Sequence, residues 1–306
     1  MRKVKKVAAI IVATITLATA TGCGSQNTSA PHIDSAKSLG VKVNETTQVK
    51  RVIALANGSA EIISALGFKS LIIGRDIAST DAELKSIPIV TSGHQVIPEK
   101  IIALQPDLVI IDRSTGPEVA LATLRKSGIS VITIPEAWTL TDIPAKISSI
   151  AAAIGAPRSG QVLMTQFAKK LPQQLQERKK VRIAFLYLRG GSAIYLVGGK
   201  QSGADSLIAA IGATDVGAGK FSQPFTAMTS ELMVSLNPDL ILVMSKGLES
   251  VGGVEGLVDL PGVAQTAAGK AKRIISVDDS LLLSFGPRTP DLITQLSNEV
   301  EKVSQR

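Results

Sequence analysis

The segments 98–108, PEKIIALQPDL, and 230–240, SELMVSLNPDL, decide the fold because they are two copies of one pattern. Every residue of the second copy stands 132 positions after its counterpart, and five positions are identical. Each copy predicts a short helix, a Pro-Asp turn and a buried strand. A common helix-to-strand connection could occur twice, but it would not need a glutamate at the same point of both copies, Glu99 and Glu231. The pattern therefore favours two related lobes.

Short apolar runs alternate with helical periodicity on both sides of these segments, starting at Arg51. The runs include Leu108–Asp112 and 131–134, which predict buried strands, and such alternation is typical of parallel sheets covered by helices on both faces. The charged stretch 158–180 has apolar residues at helical spacing, with Pro172 as a kink. We predict an α/β protein with two lobes, at 50–157 and 181–306, joined by a helix over 158–180.

The N-terminus predicts an export signal. Residues 1–22 join a positively charged start to an apolar stretch too short to span a bilayer. The small residues before Cys23 resemble a lipoprotein signal box, in which Cys23 is lipidated and begins the mature chain; a plain signal with a chance cysteine is the alternative. Small polar residues follow, so we predict a flexible tether over 23–49, containing His32. The body would lie outside the cytoplasm, anchored to the outer face of the membrane.

Composition excludes several function classes. The formal charge of +8 falls to +4 without residues 1–22, and no basic run with interleaved aromatic residues suggests nucleic-acid binding. The single cysteine allows neither an internal disulfide nor a cysteine-based zinc site. No nucleotide-binding loop, GxSxG elbow or HExxH helix is present. The sequence therefore predicts a binding protein rather than an enzyme, with an exported enzyme using His94 as a remote alternative.

Several motifs together resemble the haemin-binding lipoproteins of ABC importers, the HmuT type. They are the signal box, both Pro-Asp repeats, NGSAEIISALG at 57–67, LYLRG at 186–190, GADSLIAAIGATD at 203–215 and FGPRTPD at 285–291. The resemblance covers nearly all of 50–303. It implies two Rossmann-like lobes joined by a rigid helix, with haem held between them as cargo for iron acquisition. The same wider group binds cobalamin and ferric siderophores, which are the alternative cargoes.

The resemblance also implies partners. An ABC importer permease, and through it an ATPase, would receive the haemin. In this group one glutamate on each lobe docks into basic pockets of the permease, and these residues correspond to Glu99 and Glu231. The alternative role for both is to favour their own helix N-termini through the helix dipole.

Two side chains are candidate axial ligands, since haem iron accepts imidazole and phenolate. In related proteins, the loop that corresponds to the one around His94 rims the cleft and often supplies a tyrosine ligand. This sequence has a histidine there instead. Tyr187 ends the first strand of the second lobe, where α/β sheets bind ligands. Arg189 shares its face of the strand, and a guanidinium favours the phenolate. Tyr195 is the second candidate for this role. The alternatives are a structural histidine and a core aromatic residue with a bonded hydroxyl.

Two further residues complete the predicted haem site. Met244, at the end of the second repeat strand, is a candidate contact for the porphyrin face, with a core methionine as the equal alternative. Arg288 is a candidate partner for the haem propionates, or it caps the last helix instead. We thus predict metal binding by His94 and Tyr187.

Overall fold

The computed structural model describes residues 29–93, 95–172 and 181–305. The predicted signal segment, Cys23, His94 and the last residues of the predicted connecting helix, 173–180, lie outside these ranges. The strands are β1 (His32–Ile33), β2 (Val52–Ala54), β3 (Ile72–Arg75), β4 (Thr91–Ser92), β5 (Gln95–Val96), β6 (Leu108–Ile111), β7 (Ser130–Thr133), β8 (Arg182–Arg189), β9 (Ile194–Gly198), β10 (Thr214–Asp215), β11 (Phe225–Ala227), β12 (Leu240–Met244) and β13 (Ile274–Val277). The helices are α1 (Ser59–Ala65), α2 (Pro98–Ala103), α3 (Glu118–Lys126), α4 (Ile143–Ala153), α5 (Pro157–Lys170), α6 (Ala204–Ala210), α7 (Ser230–Leu236), α8 (Ser245–Ser250), α9 (Gly253–Val258), α10 (Ala267–Lys270), α11 (Asp279–Leu283) and α12 (Thr289–Ser304).

The N-terminal lobe, called the N-lobe, is built on a four-stranded parallel sheet in the order β3-β2-β6-β7. The inner strands β2 and β6 are buried along their whole length, as their apolar runs predict. The expectation of a buried strand over 131–134 is wrong for most of that segment. Strand β7 is at the sheet edge, and Ile132 is 37% exposed, whereas Ile134 is buried.

The C-terminal lobe, called the C-lobe, contains a seven-stranded sheet in the order β1-β13-β12-β8-β9-β11. Strand β10 pairs with the beginning of β8, so β9 pairs with its end. Strands β8, β12 and β13 are parallel to one another, while β9 is antiparallel to both of its neighbours. The α/β class predicted from the sequence is therefore observed in both sheets.

The prediction of a flexible tether over 23–49 is wrong for residues 29–49. Strand β1 pairs with β13 at the edge of the C-lobe sheet, and His32 Nδ1 lies 3.0 Å from Ser276 Oγ. Farther on, Val41 is buried and its N–H donates to the N-lobe. The segment therefore wraps across both lobes, which short-range sequence patterns did not indicate.

Of the helix predicted over 158–180, the structure shows α5, Pro157–Lys170; the chain leaves the helix at Leu171, so the predicted kink at Pro172 is wrong. Its apolar side chains Leu163 and Phe167 are buried, as helical spacing predicts. Gly160 brings α5 close to α4, because a Cβ added there would lie 2.6 Å from the Cβ of Ala151. The two lobes also share one continuous apolar core that joins residues of β2 and β6 to residues of β8 and β12. This shared core fixes the lobes against each other.

An arginine and an aspartate hold the N-lobe repeat to the start of β2, the first strand of the N-lobe sheet along the chain. The guanidinium of Arg51 donates to the carbonyl oxygens of Leu104, at 2.7 Å, and Gln105, at 3.0 Å. In return, the carboxylate of Asp107 accepts from the backbone N–H of Arg51, at 2.9 Å. These bonds satisfy the carbonyl groups at the end of α2 and fix the turn that enters β6.

The C-lobe repeat is held in the same way. The guanidinium of Arg182 donates to the carbonyl oxygens of Leu236, at 2.6 Å, and Asn237, at 2.9 Å. The carboxylate of Asp239 accepts from the N–H of Arg182, at 3.0 Å. Asn237 has a left-handed φ of 37°, a conformation that asparagine tolerates at a helix C-terminus. The duplication found in the sequence therefore extends to a shared hydrogen-bonded frame, which we call the Arg–Asp frame.

Candidate functional site

The end of β8 carries the first candidate residues. Side chains alternate along this strand, so Phe185 and Tyr187 face the shared core, while Leu186 and Leu188 face a second apolar cluster. Tyr187 is half-buried at the carboxyl end of the strand. Its ring meets the ring of Phe225 edge-on, with 5.5 Å between the centroids. This packing fixes the plane of the phenol.

Arg189 lies over Tyr187, as the shared face predicts. The carbon atom of its guanidinium is 4.5 Å from the centroid of the tyrosine ring, within the range of a cation–π contact. The guanidinium also lies 3.7 Å from a carboxylate oxygen of Asp279 and donates to the carbonyl oxygen of Leu188. A positive charge is thus held beside the phenol by groups on two elements, β8 and α11.

Tyr195 occupies the other face of the sheet. It stands opposite Leu188 in the β8–β9 pair and packs against the second cluster. Because Tyr187 faces the shared core instead, the two tyrosines cannot serve the same site. The geometry therefore separates the two candidates that sequence reasoning left open: Tyr187 lies beside Arg189 on the face of the shared core, and Tyr195 lies on the opposite face.

A small hairpin of the N-lobe flanks position 94. Strands β4 and β5 pair antiparallel, and Gly93 in their connection has a left-handed φ of 57°. His94 itself lies outside the described residues, so its role stays a prediction. The hairpin is followed directly by α2, so the predicted ligand and the predicted docking residue Glu99 belong to one local unit.

The structure corrects the expected role of Met244. This side chain is completely buried and belongs to the shared core. It therefore has no surface to offer a porphyrin, and the core alternative holds.

The structure also corrects the expected role of Arg288. Its side chain is 8% exposed, and a guanidinium nitrogen lies 2.9 Å from a carboxylate oxygen of Glu61. A second nitrogen is 3.6 Å from Asp81. Burial disfavours the charged guanidinium, but these two carboxylates overcome that effect and raise the pKa of Arg288. Since its charge is already compensated, Arg288 does not serve as a free cation for propionates.

Arg288 belongs instead to a polar joint between the lobes, which sequence reasoning missed. The amide of Asn57 donates to the carbonyl oxygen of Leu283, at 2.8 Å. The ammonium of Lys146 donates to the carbonyl oxygen of Ser284, at 2.7 Å. We call these contacts and the Glu61–Arg288 pair the lobe joint. Its partners are far apart in the sequence, so no local motif could reveal it.

Lys146 is the most strongly perturbed cation of the lobe joint. Burial lowers the pKa of Lys146 to about 8, although Glu61, Asp112 and Glu136 oppose the effect. The side chain is 2% exposed and is closely packed beside Gly58. The joint therefore places a cation between the lobes in surroundings that disfavour its charge.

Glu99 and Glu231 are both exposed in the first turn of their helices, α2 and α7. The carboxylate of Glu231 accepts hydrogen bonds from the backbone N–H of Glu231 and from the hydroxyl of Thr229, and these bonds lower the pKa of Glu231. The carboxylates thus occupy the same place in the two copies of the repeat, each open to an external partner. Their contribution to the helix N-terminus remains compatible with such a role.

A family model described as "Periplasmic binding protein" matches residues 52–281, and the chain belongs to this family. The fold is similar to that of the heme binding protein HmuT, with a TM-score of 0.81 and 28% identity over 89% of this chain and 97% of that chain. The apo form of the periplasmic heme-binding protein RhuT from Roseiflexus sp. RS-1 has a TM-score of 0.78 and 34% identity, covering 84% of this chain and all of that one. The resemblance stated from the motifs is thereby confirmed.

Relatives known by sequence give a second comparison. The uncharacterized ABC transporter substrate-binding lipoprotein YvrC of Bacillus subtilis (strain 168) is 26% identical, over 88% of this chain and 84% of its own length. The vitamin B12-binding protein of Vibrio campbellii (strain ATCC BAA-1116) is 24% identical, over 84% of this chain and 91% of its own length. Both comparisons identify substrate-binding proteins of the ABC import type. Among the described residues, no helix has the length and apolar character needed to cross a bilayer.

Proposed function

We propose that the chain is an extracytoplasmic protein that captures haemin and delivers it to an ABC importer permease. The observation that carries the proposal is the pair formed by Tyr187 and Arg189 at the carboxyl end of β8. A tyrosine oxygen is an axial ligand that ferric haem accepts, and the guanidinium of Arg189 holds a positive charge over the same ring. In the similar protein HmuT, a tyrosine and an arginine with the same spacing have each been replaced by alanine in solved variants.

Iron bound to Tyr187 would have a second axial position, which we assign to His94. A further solved variant of HmuT replaces a histidine by alanine, which supports a histidine in this class of site. A neutral imidazole and a phenolate are both ordinary ligands of haem iron. The described part of the hairpin around position 94 belongs to the N-lobe, whereas Tyr187 belongs to the C-lobe. Coordination would therefore use one residue from each lobe.

The remaining assignments concern the membrane. Glu99 and Glu231 would dock the loaded protein onto the permease, since a fixed charge on each lobe gives orientation as well as attraction. Cys23 would carry the lipid anchor, and the lipoprotein YvrC supports this assignment. A serine in place of Cys23 should move the protein from the membrane fraction to the medium or periplasm, as fractionation and immunoblotting would reveal.

A haemin titration of residues 24–306, followed by visible absorption, tests the cargo. We expect a saturable one-to-one spectral change that is altered in both His94→Ala and Tyr187→Phe. Tyr195→Phe is the matched control, because it removes a hydroxyl from the opposite face of the same strand pair. An unchanged spectrum in Tyr187→Phe would contradict the ligand assignment, and the lack of any saturable change would contradict haemin as cargo.

Cobalamin is the second candidate, favoured by the relatives that are named vitamin B12-binding proteins. Its binding would not require a phenolate, so Tyr187→Phe should leave it almost unchanged. Isothermal titration with cyanocobalamin, in parallel with haemin, separates the two cargoes. Tight cyanocobalamin binding together with weak haemin binding would favour the second candidate.

A further inference from the structure

We propose that Ile102 and Val234, exposed one helical turn after Glu99 and Glu231, form with these glutamates two matching contact surfaces for the two halves of the permease. We call Glu99 with Ile102 the N-lobe contact and Glu231 with Val234 the C-lobe contact. The inference rests on the proposed import function and adds an apolar part to the docking surface.

The exposure of these side chains is specific to their positions in the repeat. Ile102 is 36% exposed and Val234 is 47% exposed. The residue just before each of them, Ile101 and Met233, is completely buried and fixes its helix to a core. The buried neighbour sets the orientation of the helix, and the following aliphatic side chain consequently faces outward.

The charge and the aliphatic group lie on one face of each helix. Residues three positions apart are neighbours on a helix surface, which applies to Glu99 and Ile102 and likewise to Glu231 and Val234. All four are exposed. A single exposed aliphatic residue needs no explanation. An exposed glutamate followed by an exposed aliphatic residue at the same position of both repeat copies is a more specific arrangement. Ile102 and Val234 belong to none of the apolar cores, so core packing does not explain their side chains.

The duplication identifies the kind of partner. Two equivalent contacts on one chain fit a partner that presents one surface twice, as a permease built from two equivalent halves does. Each half would supply a cation for the glutamate and an apolar depression for the aliphatic side chain. Charge would steer and orient the approach, while burial of the aliphatic groups would slow dissociation.

Photo-crosslinking in cells of the source organism tests the surface directly. The full-length chain would carry a photoreactive phenylalanine derivative at position 102, at 234 or, as a control, at 119. Val119 is a suitable control because it is 73% exposed and belongs to α3, outside the repeat. We expect positions 102 and 234 to crosslink to the same integral membrane polypeptide, identified by mass spectrometry. Crosslinking at the level of position 119, from one position alone, or to a second copy of this chain would overturn the proposal.

Substitution gives an independent measurement. We expect Ile102→Ser with Val234→Ser to reduce haemin uptake about tenfold while the purified protein keeps its haemin affinity, because two aliphatic side chains would no longer be buried against the permease. Val119→Ser should leave both quantities unchanged. Uptake at the level of the unsubstituted protein would overturn the apolar contact. If the unsubstituted protein bound no haemin, the cargo would be wrong, and the crosslinks would still decide the docking surface.

Discussion

The two lobes share the repeat and its frame, but they differ in the strand that the frame holds. Both hold a helix, a Pro-Asp turn and a strand together with an Arg–Asp frame, at Arg51 and Asp107 in the N-lobe and at Arg182 and Asp239 in the C-lobe. Beyond the frame, the N-lobe strand β2 has three residues and leads into α1. The C-lobe strand β8 has eight residues and ends with Tyr187 and Arg189.

The difference separates two kinds of task. The shared part of each copy places an exposed glutamate at the same position, which suits a partner with two equivalent halves. The elements in which the lobes differ carry what occurs once: α1 supplies Glu61 to the lobe joint, and β8 supplies the tyrosine–arginine pair. Under the proposed function, docking would depend on what the duplication preserved, and cargo binding would depend on what it did not.

The largest expected effect comes from breaking the lobe joint. Arg288→Met leaves the carboxylate of Glu61 buried without its nearest cation, and loss of one partner from a buried pair costs about 3–5 kcal/mol. We expect a decrease of that size in the free energy of unfolding, measured by urea denaturation. Adding Glu61→Leu should recover part of the loss, because it removes the buried carboxylate that Arg288→Met left without its partner. A single variant within about 0.5 kcal/mol of the parent would show that the joint is not a stabilising contact.

The pH dependence of the lobe joint gives the second prediction. The pKa of Lys146 is lowered from 10.5 to about 8 in the folded chain. Between these values the unfolded chain retains the proton and the folded chain has lost it, so the free energy of unfolding should rise with pH there. The Lys146 contribution has a maximum slope of about 1.4 kcal/mol per pH unit and is lost as the pH falls through 8. Lys146→Met should lack this contribution.

Denaturation of both proteins at pH 8, 9 and 10 measures the difference. Comparison with Lys146→Met is necessary because other lysines also titrate in this range. Parallel curves for the two proteins would mean that the lysine keeps its ordinary pKa in the folded chain.

The sequence predicted the duplicated part well and the joint poorly, for one physical reason. Strand alternation and helical spacing are local, so they located β8, α7 and the shared face of Tyr187 and Arg189. The burial of Met244 and the pairing of Arg288 with Glu61 depend on contacts between lobes, more than two hundred residues apart in the case of the ion pair. The packing of residues 29–49 was missed because small polar residues suggested a tether.

A third prediction tests whether the Arg–Asp frame is equally important in both lobes. The carboxylate of Asp107 accepts from the N–H groups of Lys50 and Arg51, while that of Asp239 accepts from Arg182. A hydrogen bond to a charged group contributes about 1.5–3 kcal/mol. Because Asp239 is half-buried and Asp107 is exposed, we expect each alanine variant to lose about 1–2 kcal/mol in urea denaturation.

The double variant, Asp107→Ala with Asp239→Ala, sharpens the comparison. The two frames belong to different sheets, so their losses should add within about 0.5 kcal/mol. A loss confined to one lobe would mean that the shared geometry has different energetic importance in the two copies.

The smallest expected effect concerns Asp279, which holds Arg189 from the neighbouring element α11. Its carboxylate lies 3.7 Å from the guanidinium and also accepts from the N–H of Lys246. Asp279→Asn retains an acceptor for that N–H but removes the charge, so Arg189 should lie less firmly over the ring of Tyr187. At this distance and partial exposure the attraction is weak, and we expect haemin affinity to fall by about threefold.

Asp279 would act through Arg189 rather than on the iron, and the choice of measurement follows from this. The absorption spectrum of the haemin complex should change in the same direction as in Arg189→Ala, and less strongly. Asp291→Asn is the control, since it neutralises another C-lobe carboxylate that binds the N–H of Lys37 instead. An altered affinity with an unaltered spectrum would assign Asp279 to the general charge of the C-lobe. A spectral change that disappears when Arg189 is already alanine would place the effect in the orientation of the guanidinium, and therefore in the end of β8 that has no counterpart in β2.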